Sequence, residues 1–109
     1  MPQFDVHRNK GVSKDFVPYV VAVQSSLYDG YKRRVVVPLL RRGALHHQSS
    51  AAGSRMNPVF QVEGVDVVLH PLDMVSVALD QLGPVVGTLM DQGQIIADAL
   101  DELLTRSWN

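Results

Sequence analysis

The chain has 109 residues and a formal net charge of −1, and 46% of its residues are hydrophobic. This size and composition predict a single folded domain that spans residues 1–109. Because the chain contains no cysteine, it cannot form a disulfide or a cysteine-based zinc site. Its apolar runs are far shorter than the roughly 20 residues that cross a bilayer, and its first residues lack the apolar core of a signal peptide. We therefore expect a cytoplasmic protein.

Charge is divided unevenly along the chain. Residues 1–55 carry nine Lys and Arg against three Asp and Glu, whereas residues 56–109 carry one against eight. A basic face formed by the first half would attract an acidic partner. If the two halves intermix within one small domain, the field largely cancels, and the sequence leaves both outcomes open.

Short runs of β-branched residues predict the strands of the first half. Residues 20–23 and 35–37 are mostly valine and flank a polar stretch that contains Gly30, which predicts two antiparallel strands joined by a turn. Apolar and polar residues alternate over residues 4–8, which predicts a half-buried first strand.

The second half predicts three further strands. Residues 58–62 and 65–69 form a candidate hairpin about Glu63-Gly64. Residues 74–79 are predicted to form the last strand, because Gly83-Pro84 breaks the pattern that follows.

From Met90 onward the apolar period becomes helical, which predicts a terminal helix with Asp91 and Gln94 as a capping box. The apolar residues of that helix share one face: Ile95, Ile96, Ala99, Leu100, Leu103 and Leu104. Five or six short antiparallel strands and one helix make an α+β domain.

Residues around the first predicted turn resemble a known family. Val23-Gln24-Ser25, Asp29 and the run RRVVVPL at residues 33–39 are similar to the CcdB family of plasmid and chromosomal toxins. A second block agrees in order and spacing: Pro58-Val59, Glu63-Gly64, residues 73–77 and Leu82-Gly83.

The resemblance implies a fold, an activity and partners. The fold would be a small SH3-like antiparallel β-barrel with a C-terminal α-helix, paired into a homodimer. The protein would be a non-enzymatic toxin without a cofactor or metal. It would bind the DNA gyrase A subunit, inhibit type II topoisomerase activity and be neutralised by a CcdA-like antitoxin, with no membrane contact and no direct nucleic-acid binding.

The end of the chain departs from the family pattern. The family helix ends in Trp-Gly-Ile, whereas Thr105, Arg106 and Ser107 stand at those positions here and the only tryptophan is Trp108. Three residues turn a helix by roughly 300° and advance it by about 4.5 Å, so Trp108 would reach a neighbouring part of the same surface. Trp108 is either a packing cap or a binding anchor, and the sequence does not distinguish the two.

We expect two binding surfaces, the first of them implied by the resemblance. The gyrase surface would combine the turn after the second strand with the end of the helix: Ser25, Leu27, Tyr28, Asp101, Thr105, Trp108 and Asn109. The resemblance implies only that an antitoxin binds; charge places its acidic segment on the basic first half, at Arg8, Lys10 and Lys14.

Histidines and basic residues suggest other chemistry. His46-His47 lies in a polar stretch with no acidic ligand nearby, so we interpret it as a solvated pair rather than a metal site. His7 beside Arg8 and His70 beside Asp73 could act as bases, but no nucleophile with typical flanking residues accompanies them.

The basic residues 32–34 could contact phosphates, but a pI near 6.4 favours a structural role at strand ends. Two alternative functions remain. A MazF-like endoribonuclease would use Arg33, Arg34, His7 and Thr88, and a non-toxic CcdB homologue would have an altered target.

Overall fold

The computed structural model describes residues 3–11, 14–43 and 52–105. The predictions for His46, His47, Arg106, Trp108 and Asn109 fall outside these residues.

The described residues form seven β-strands and one terminal α-helix, α1 at Gly93–Leu104, and this confirms the predicted α+β class. The strands are β1 Asp5–Arg8, β2 Tyr19–Ala22, β3 Arg33–Arg41, β4 Val59–Val62, β5 Val65–Leu69, β6 Val75–Ala78 and β7 Val85–Thr88.

Strand β3 is the central strand of one antiparallel sheet. One edge of β3 pairs with β2, and the other edge is shared by β6 along residues 33–36 and by β5 along residues 39–41. Beyond these neighbours, β4 extends the sheet from β5, while β1 and β7 extend it from β2. The sheet curls into an open half-barrel, which is consistent with the predicted CcdB-like fold.

The core lies on the face of the sheet that carries Val6, Val21 and Val37, which stand opposite one another in register on β1, β2 and β3. All three side chains are buried, and α1 adds Ile96 and Ala99 to the same cluster. Burial of the apolar side chains of this cluster is the dominant favourable contribution to folding, and packing of its amphipathic face against the sheet stabilises α1.

The predicted half-buried first strand is a strand, but it is buried on both faces. His7 is paired with Val20 on the side of β1 opposite Val6, and only 1% of its surface is exposed. The ring Nδ1 of His7 lies 3.0 Å from the carbonyl oxygen of Gly83, so the chain segment that enters β7 covers this face. Alternation alone could not predict that cover, because it comes from a distant part of the sequence.

The prediction that residues 74–79 form the last strand is wrong. Strand β6 ends at Ala78, and β7 follows after Gly83-Pro84, pairing with β1 so that Asp5 stands opposite Thr88. Strand β7 has the sequence VVGT and is mostly exposed, so it lacks the hydrophobic pattern of a core strand. Strand β7 is a strand because its backbone pairs with β1.

The hairpin between β4 and β5 is confirmed. Both turn residues have positive φ angles, 52° at Glu63 and 77° at Gly64. Two successive left-handed residues are typical of the two-residue turn that matches the twist of antiparallel strands.

The predicted capping box is wrong. A 3₁₀ turn at Met90–Gln92 leads into α1, and the cap residue Gln92 makes no side-chain cap hydrogen bond. Gln94 instead donates to Asp98 Oδ1 at 2.9 Å, one helical turn further along.

We expect Ile96→Ala to lower the free energy of unfolding by about 2–5 kcal/mol, because it removes a fully buried side chain that joins α1 to the sheet. Urea unfolding at a fixed protein concentration measures this loss. The neighbouring Ile95 is 45% exposed, so Ile95→Ala is the matched control and should cost less than about 1 kcal/mol. Equal losses for the two variants would contradict the described packing of α1.

Candidate binding surface

The turn between β2 and β3 presents its apolar side chains to solvent. Ser25 caps a 3₁₀ turn at Ser26–Tyr28, and its Oγ accepts a hydrogen bond from the backbone N–H of Leu27 at 3.3 Å. With its backbone fixed in this way, Leu27 is 86% exposed. Two residues predicted for the gyrase surface, Leu27 and Tyr28, are therefore accessible on a short turn.

Two tyrosines add to the exposed surface of the turn. The rings of Tyr28 and Tyr31 lie parallel, with centroids 6.1 Å apart and planes 8° apart. Tyr28 is 51% exposed and Tyr31 is 67% exposed. From the sequence, Tyr28 and Tyr31 were a candidate pair for stacking on nucleic-acid bases, but Tyr31 was not predicted for the gyrase surface.

Exposed apolar groups on one short turn are typical of a binding surface. Large aromatic and aliphatic side chains serve as anchors at protein interfaces, where burial against a partner removes their surface from water. We call Leu27, Tyr28 and Tyr31 the apolar turn.

Asp101 and Thr105 lie at the carboxyl end of α1 and contact each other. The backbone N–H of Thr105 donates to the carbonyl oxygen of Asp101 at 2.9 Å, and Thr105 Oγ1 donates to Asp101 Oδ1. Both residues are exposed, but these hydrogen bonds stay within the helix end. The hydrogen bonds of Leu27 and Tyr28 likewise stay within their turn, so the described contacts do not join the two parts of the predicted gyrase surface.

The three cations predicted for the antitoxin are brought together around Arg8. A cleft of about 320 Å³ has Arg8 and Lys10 at its rim, and an adjacent cleft of about 300 Å³ is lined by Arg8, Lys14 and Arg41. Arg41 was not predicted for this surface, because it comes from the far end of β3. The apolar lining of the larger cleft was also missed, and it comes from three strands and two loops: Val17, Val20, Val36, Pro38, Val75, Val77 and Leu82.

Arg8 is part of a charged network with Tyr19 and Glu63. Its Nη2 donates to both carboxylate oxygens of Glu63 at 3.1 and 3.2 Å, and the hydroxyl of Tyr19 donates to Glu63 Oε1 at 2.6 Å. Burial raises the pKa of Tyr19 above its usual value near 10, and the hydrogen bond to Glu63 and its negative charge raise it further. Arg8 and Arg41 oppose the shift of the Tyr19 pKa.

Several ion pairs and polar contacts connect the basic first half of the chain to the acidic second half. Besides the Arg8–Glu63 pair, Arg55 Nε lies 3.2 Å from Glu102 Oε2. The two halves therefore intermix, which is the second of the two outcomes that the sequence left open. Positive side chains still outnumber negative ones in the cleft that Arg8, Lys14 and Arg41 line together with Asp15.

The four residues of the endoribonuclease alternative do not form an exposed cluster. Arg34 is 5% exposed and His7 is 1% exposed, while Arg33 donates to the hydroxyl of Ser76 at 2.9 Å. Thr88 Oγ1 accepts a hydrogen bond from the backbone N–H of Met90 at 3.1 Å.

The remaining polar candidates have local roles. His70 Nε2 lies 3.3 Å from Asp73 Oδ2, so the predicted neighbours do make contact. Within residues 3–11, 14–43 and 52–105, no three metal-ligating side chains are grouped closely enough to hold a metal ion. Over the same residues, no helix combines the length and apolar character needed to span a membrane.

The structure is that of a small α+β protein with an exposed apolar turn between β2 and β3. The family model for CcdB protein matches residues 3–105, which is nearly the whole chain. This chain belongs to the CcdB family, and it is thereby a toxin-type protein of a toxin–antitoxin system, with an antitoxin as its partner. No curated protein sequence matches it.

We expect Tyr19→Phe to reduce the loss of stability at alkaline pH. The pKa of Tyr19 is raised in the folded protein, so the unfolded chain releases this proton first, and the stabilisation is present below about pH 10 and lost as the pH rises above it. Urea unfolding at about pH 9 and about pH 11 measures the effect.

In that experiment the wild type should lose more stability with rising pH than Tyr19→Phe does. Tyr31→Phe removes an exposed hydroxyl and controls for the loss of a phenol group. Identical pH dependence in the wild type and Tyr19→Phe would contradict the raised pKa.

Proposed function

We propose that this chain is a toxin that binds the DNA gyrase A subunit and inhibits type II topoisomerase activity, and that a CcdA-like antitoxin neutralises it. Membership of the CcdB family supports the class of target. The single observation that carries the proposal is the apolar turn, where Leu27 is 86% exposed beside two stacked tyrosines.

The proposed mechanism is binding without covalent chemistry. Leu27 and Tyr28 insert into an apolar site on the A subunit, and the exposed apolar area that they lose to water supplies affinity. Asp101, Thr105, Trp108 and Asn109 extend the contact from the end of the helix. Inhibition follows because the bound toxin holds the topoisomerase in one state of its cycle.

The proposed assembly is a homodimer in the cytoplasm. Apolar side chains remain exposed along the helix and the turn before it, with Met90 at 55%, Ile95 at 45% and Leu104 at 61%. Pairing of two chains along α1 would cover such side chains and present two helix ends to the target. A dimer would therefore carry two copies of the gyrase surface.

The proposed antitoxin surface is the group of cations around Arg8, with Lys10 and Lys14 as predicted and Arg41 added. An acidic segment would complement these charges, although Glu63 already neutralises part of the charge of Arg8. Lys10, Lys14 and Arg41 therefore contribute most of the attraction.

We expect Leu27→Ala to weaken binding to purified gyrase A at least tenfold, which corresponds to about 1.4 kcal/mol or more, because it truncates the most exposed anchor. Surface-bound gyrase A titrated with the toxin measures the affinity, and a supercoiling assay measures inhibition. Leu72 is 66% exposed on the 3₁₀ turn between β5 and β6, so Leu72→Ala is the matched control and should leave affinity unchanged.

Trp108→Ala tests the helix end in the same titration, and loss of binding with an unchanged unfolding curve would identify Trp108 as an anchor. A wild-type chain that does not bind gyrase A contradicts the proposed target, although family membership stands. Cleavage of single-stranded RNA by the purified chain would favour the endoribonuclease instead.

We expect Lys14→Glu to weaken binding of the cognate antitoxin and to reduce the salt dependence of its affinity, because one attractive charge becomes repulsive. Titration at two salt concentrations measures both effects. Lys32→Glu makes the same charge change next to the apolar turn and is the control. Equal losses for the two variants would indicate a general charge effect and would contradict the assigned surface.

A further inference from the structure

We propose that the buried side chain of Arg34 is a positioning residue that holds the apolar turn in its binding conformation before a target arrives. The inference rests on the proposed function for the identity of the target. The conformation of the turn itself can be measured in the free protein.

Arg34 donates hydrogen bonds to three backbone carbonyl groups, two in the turn and one at the first residue of β3. Its Nη1 donates to the carbonyl oxygens of Tyr31 at 2.6 Å and Arg33 at 2.9 Å, and its Nη2 donates to that of Asp29 at 2.9 Å. Its Nε lies 3.7 Å from Asp29 Oδ1. One guanidinium group therefore contacts both sides of Gly30, where the chain reverses.

The Arg34 side chain needs these hydrogen bonds because it is buried. The residue is 5% exposed, and a buried guanidinium is costly unless its donors are paired. Here carbonyl oxygens take the place of water for Nη1 and Nη2, and the Asp29 carboxylate supplies the opposite charge nearest to Nε. If the turn opened, the buried charge would lose these partners, so the cost of burial favours the closed conformation.

Gln24 holds the other side of the same turn. Its Nε2 donates to the carbonyl oxygens of Tyr28 at 3.1 Å and Arg33 at 3.3 Å, and its Oε1 accepts from the N–H of Val35 at 3.1 Å. Side chains at the two strand ends thus fix the backbone carbonyls of Tyr28 and Tyr31, the residues whose rings stack outside.

The adjacent arginine has a different role, which gives the proposal a matched control. Arg33 is exposed, and it donates through Nε to Ser76 Oγ at 2.9 Å and through Nη2 to the Ser76 carbonyl oxygen at 2.8 Å. It therefore connects β3 to β6 and makes no side-chain hydrogen bond to the turn among those described.

A turn that is already ordered binds without a conformational penalty. Apparent affinity falls in proportion to the fraction of molecules in the competent conformation, so a turn that is correctly folded in one molecule in ten binds about tenfold more weakly. Arg34 would set this fraction without touching the target.

The test compares Arg34→Met, Arg34→Lys and Arg33→Met in two measurements. The first is the NMR contact between the Tyr28 and Tyr31 rings in the free protein, and the second is the affinity for gyrase A. Arg34→Met should lose the ring contact and bind about tenfold more weakly, because it removes every donor while keeping an unbranched apolar stem. Arg34→Lys should keep part of the ring contact and part of the affinity. Arg33→Met should keep the wild-type ring contact and the wild-type affinity.

A double-mutant cycle separates positioning from general stability. In a background that lacks both anchors, Leu27→Ala with Tyr28→Ala, Arg34→Met should cost much less affinity than it does in the wild type, since the residual contact through the helix end does not depend on the conformation of the turn. Additive losses would overturn the proposal, and so would an Arg34→Met protein that keeps both the ring contact and the affinity.

The two measurements also separate this proposal from the proposed function. If the wild type does not bind gyrase A, the target is wrong, and the ring contact alone decides whether Arg34 positions the turn. If Arg34→Met does not fold, the ring contact and affinity of Arg34→Lys decide it, and wild-type values for both would overturn the role assigned to the guanidinium.

Discussion

The structure depends on the pairing of β3 along both of its edges. A nine-residue strand with β2 on one edge, and β6 and then β5 on the other, fixes the position of nearly every other element. Register is strongly specified here because a shift of one residue would move Val37 from the core face to the opposite face. The turn that leads into β3 is consequently held at a rigid strand end.

This arrangement explains how a small domain can present an exposed apolar loop without losing order. Short loops with large apolar side chains tend to collapse or associate, and ordering them costs conformational entropy. In this chain the entropy cost of ordering the turn is offset by hydrogen bonds within the domain. The amide of Gln24 and the guanidinium of Arg34 donate these hydrogen bonds to the carbonyls of the turn. The side chains of Leu27 and Tyr28 are left free for a partner.

Charge is organised locally rather than by halves of the chain. Arg8 and Glu63 lie 55 positions apart and form one ion pair beside Tyr19, on a surface where Lys14 and Arg41 add positive charge. The charge counts of the two sequence halves alone would predict that the surface formed by the first half is basic throughout. The folded chain instead pairs Arg8 with Glu63 and groups Arg8, Lys14 and Arg41 at one cleft, which complements an acidic segment more specifically than a uniformly basic face would.

The sequence by itself determined the class of fold, the β2–β3 and β4–β5 hairpins, the terminal helix and the family. The structural features follow from local pattern: β-branched runs, Glu63-Gly64 at a tight turn, and helical spacing after Met90. The family follows from the resemblance of residues 23–39 and 58–83 to its members. The exposed Leu27 and Tyr28 were also predicted, from the resemblance of the residues around them.

Tertiary structure alone decided the features that depend on distant partners. Strand β7 lacks the hydrophobic pattern of a core strand and forms because its backbone pairs with the free edge of β1. His7 is buried because the segment around Gly83 covers it. Arg34 looked like one member of a basic cluster, yet it is an interior residue of the turn. Local sequence cannot reveal such roles, because burial and hydrogen bonding are set by whichever part of the chain the fold brings alongside.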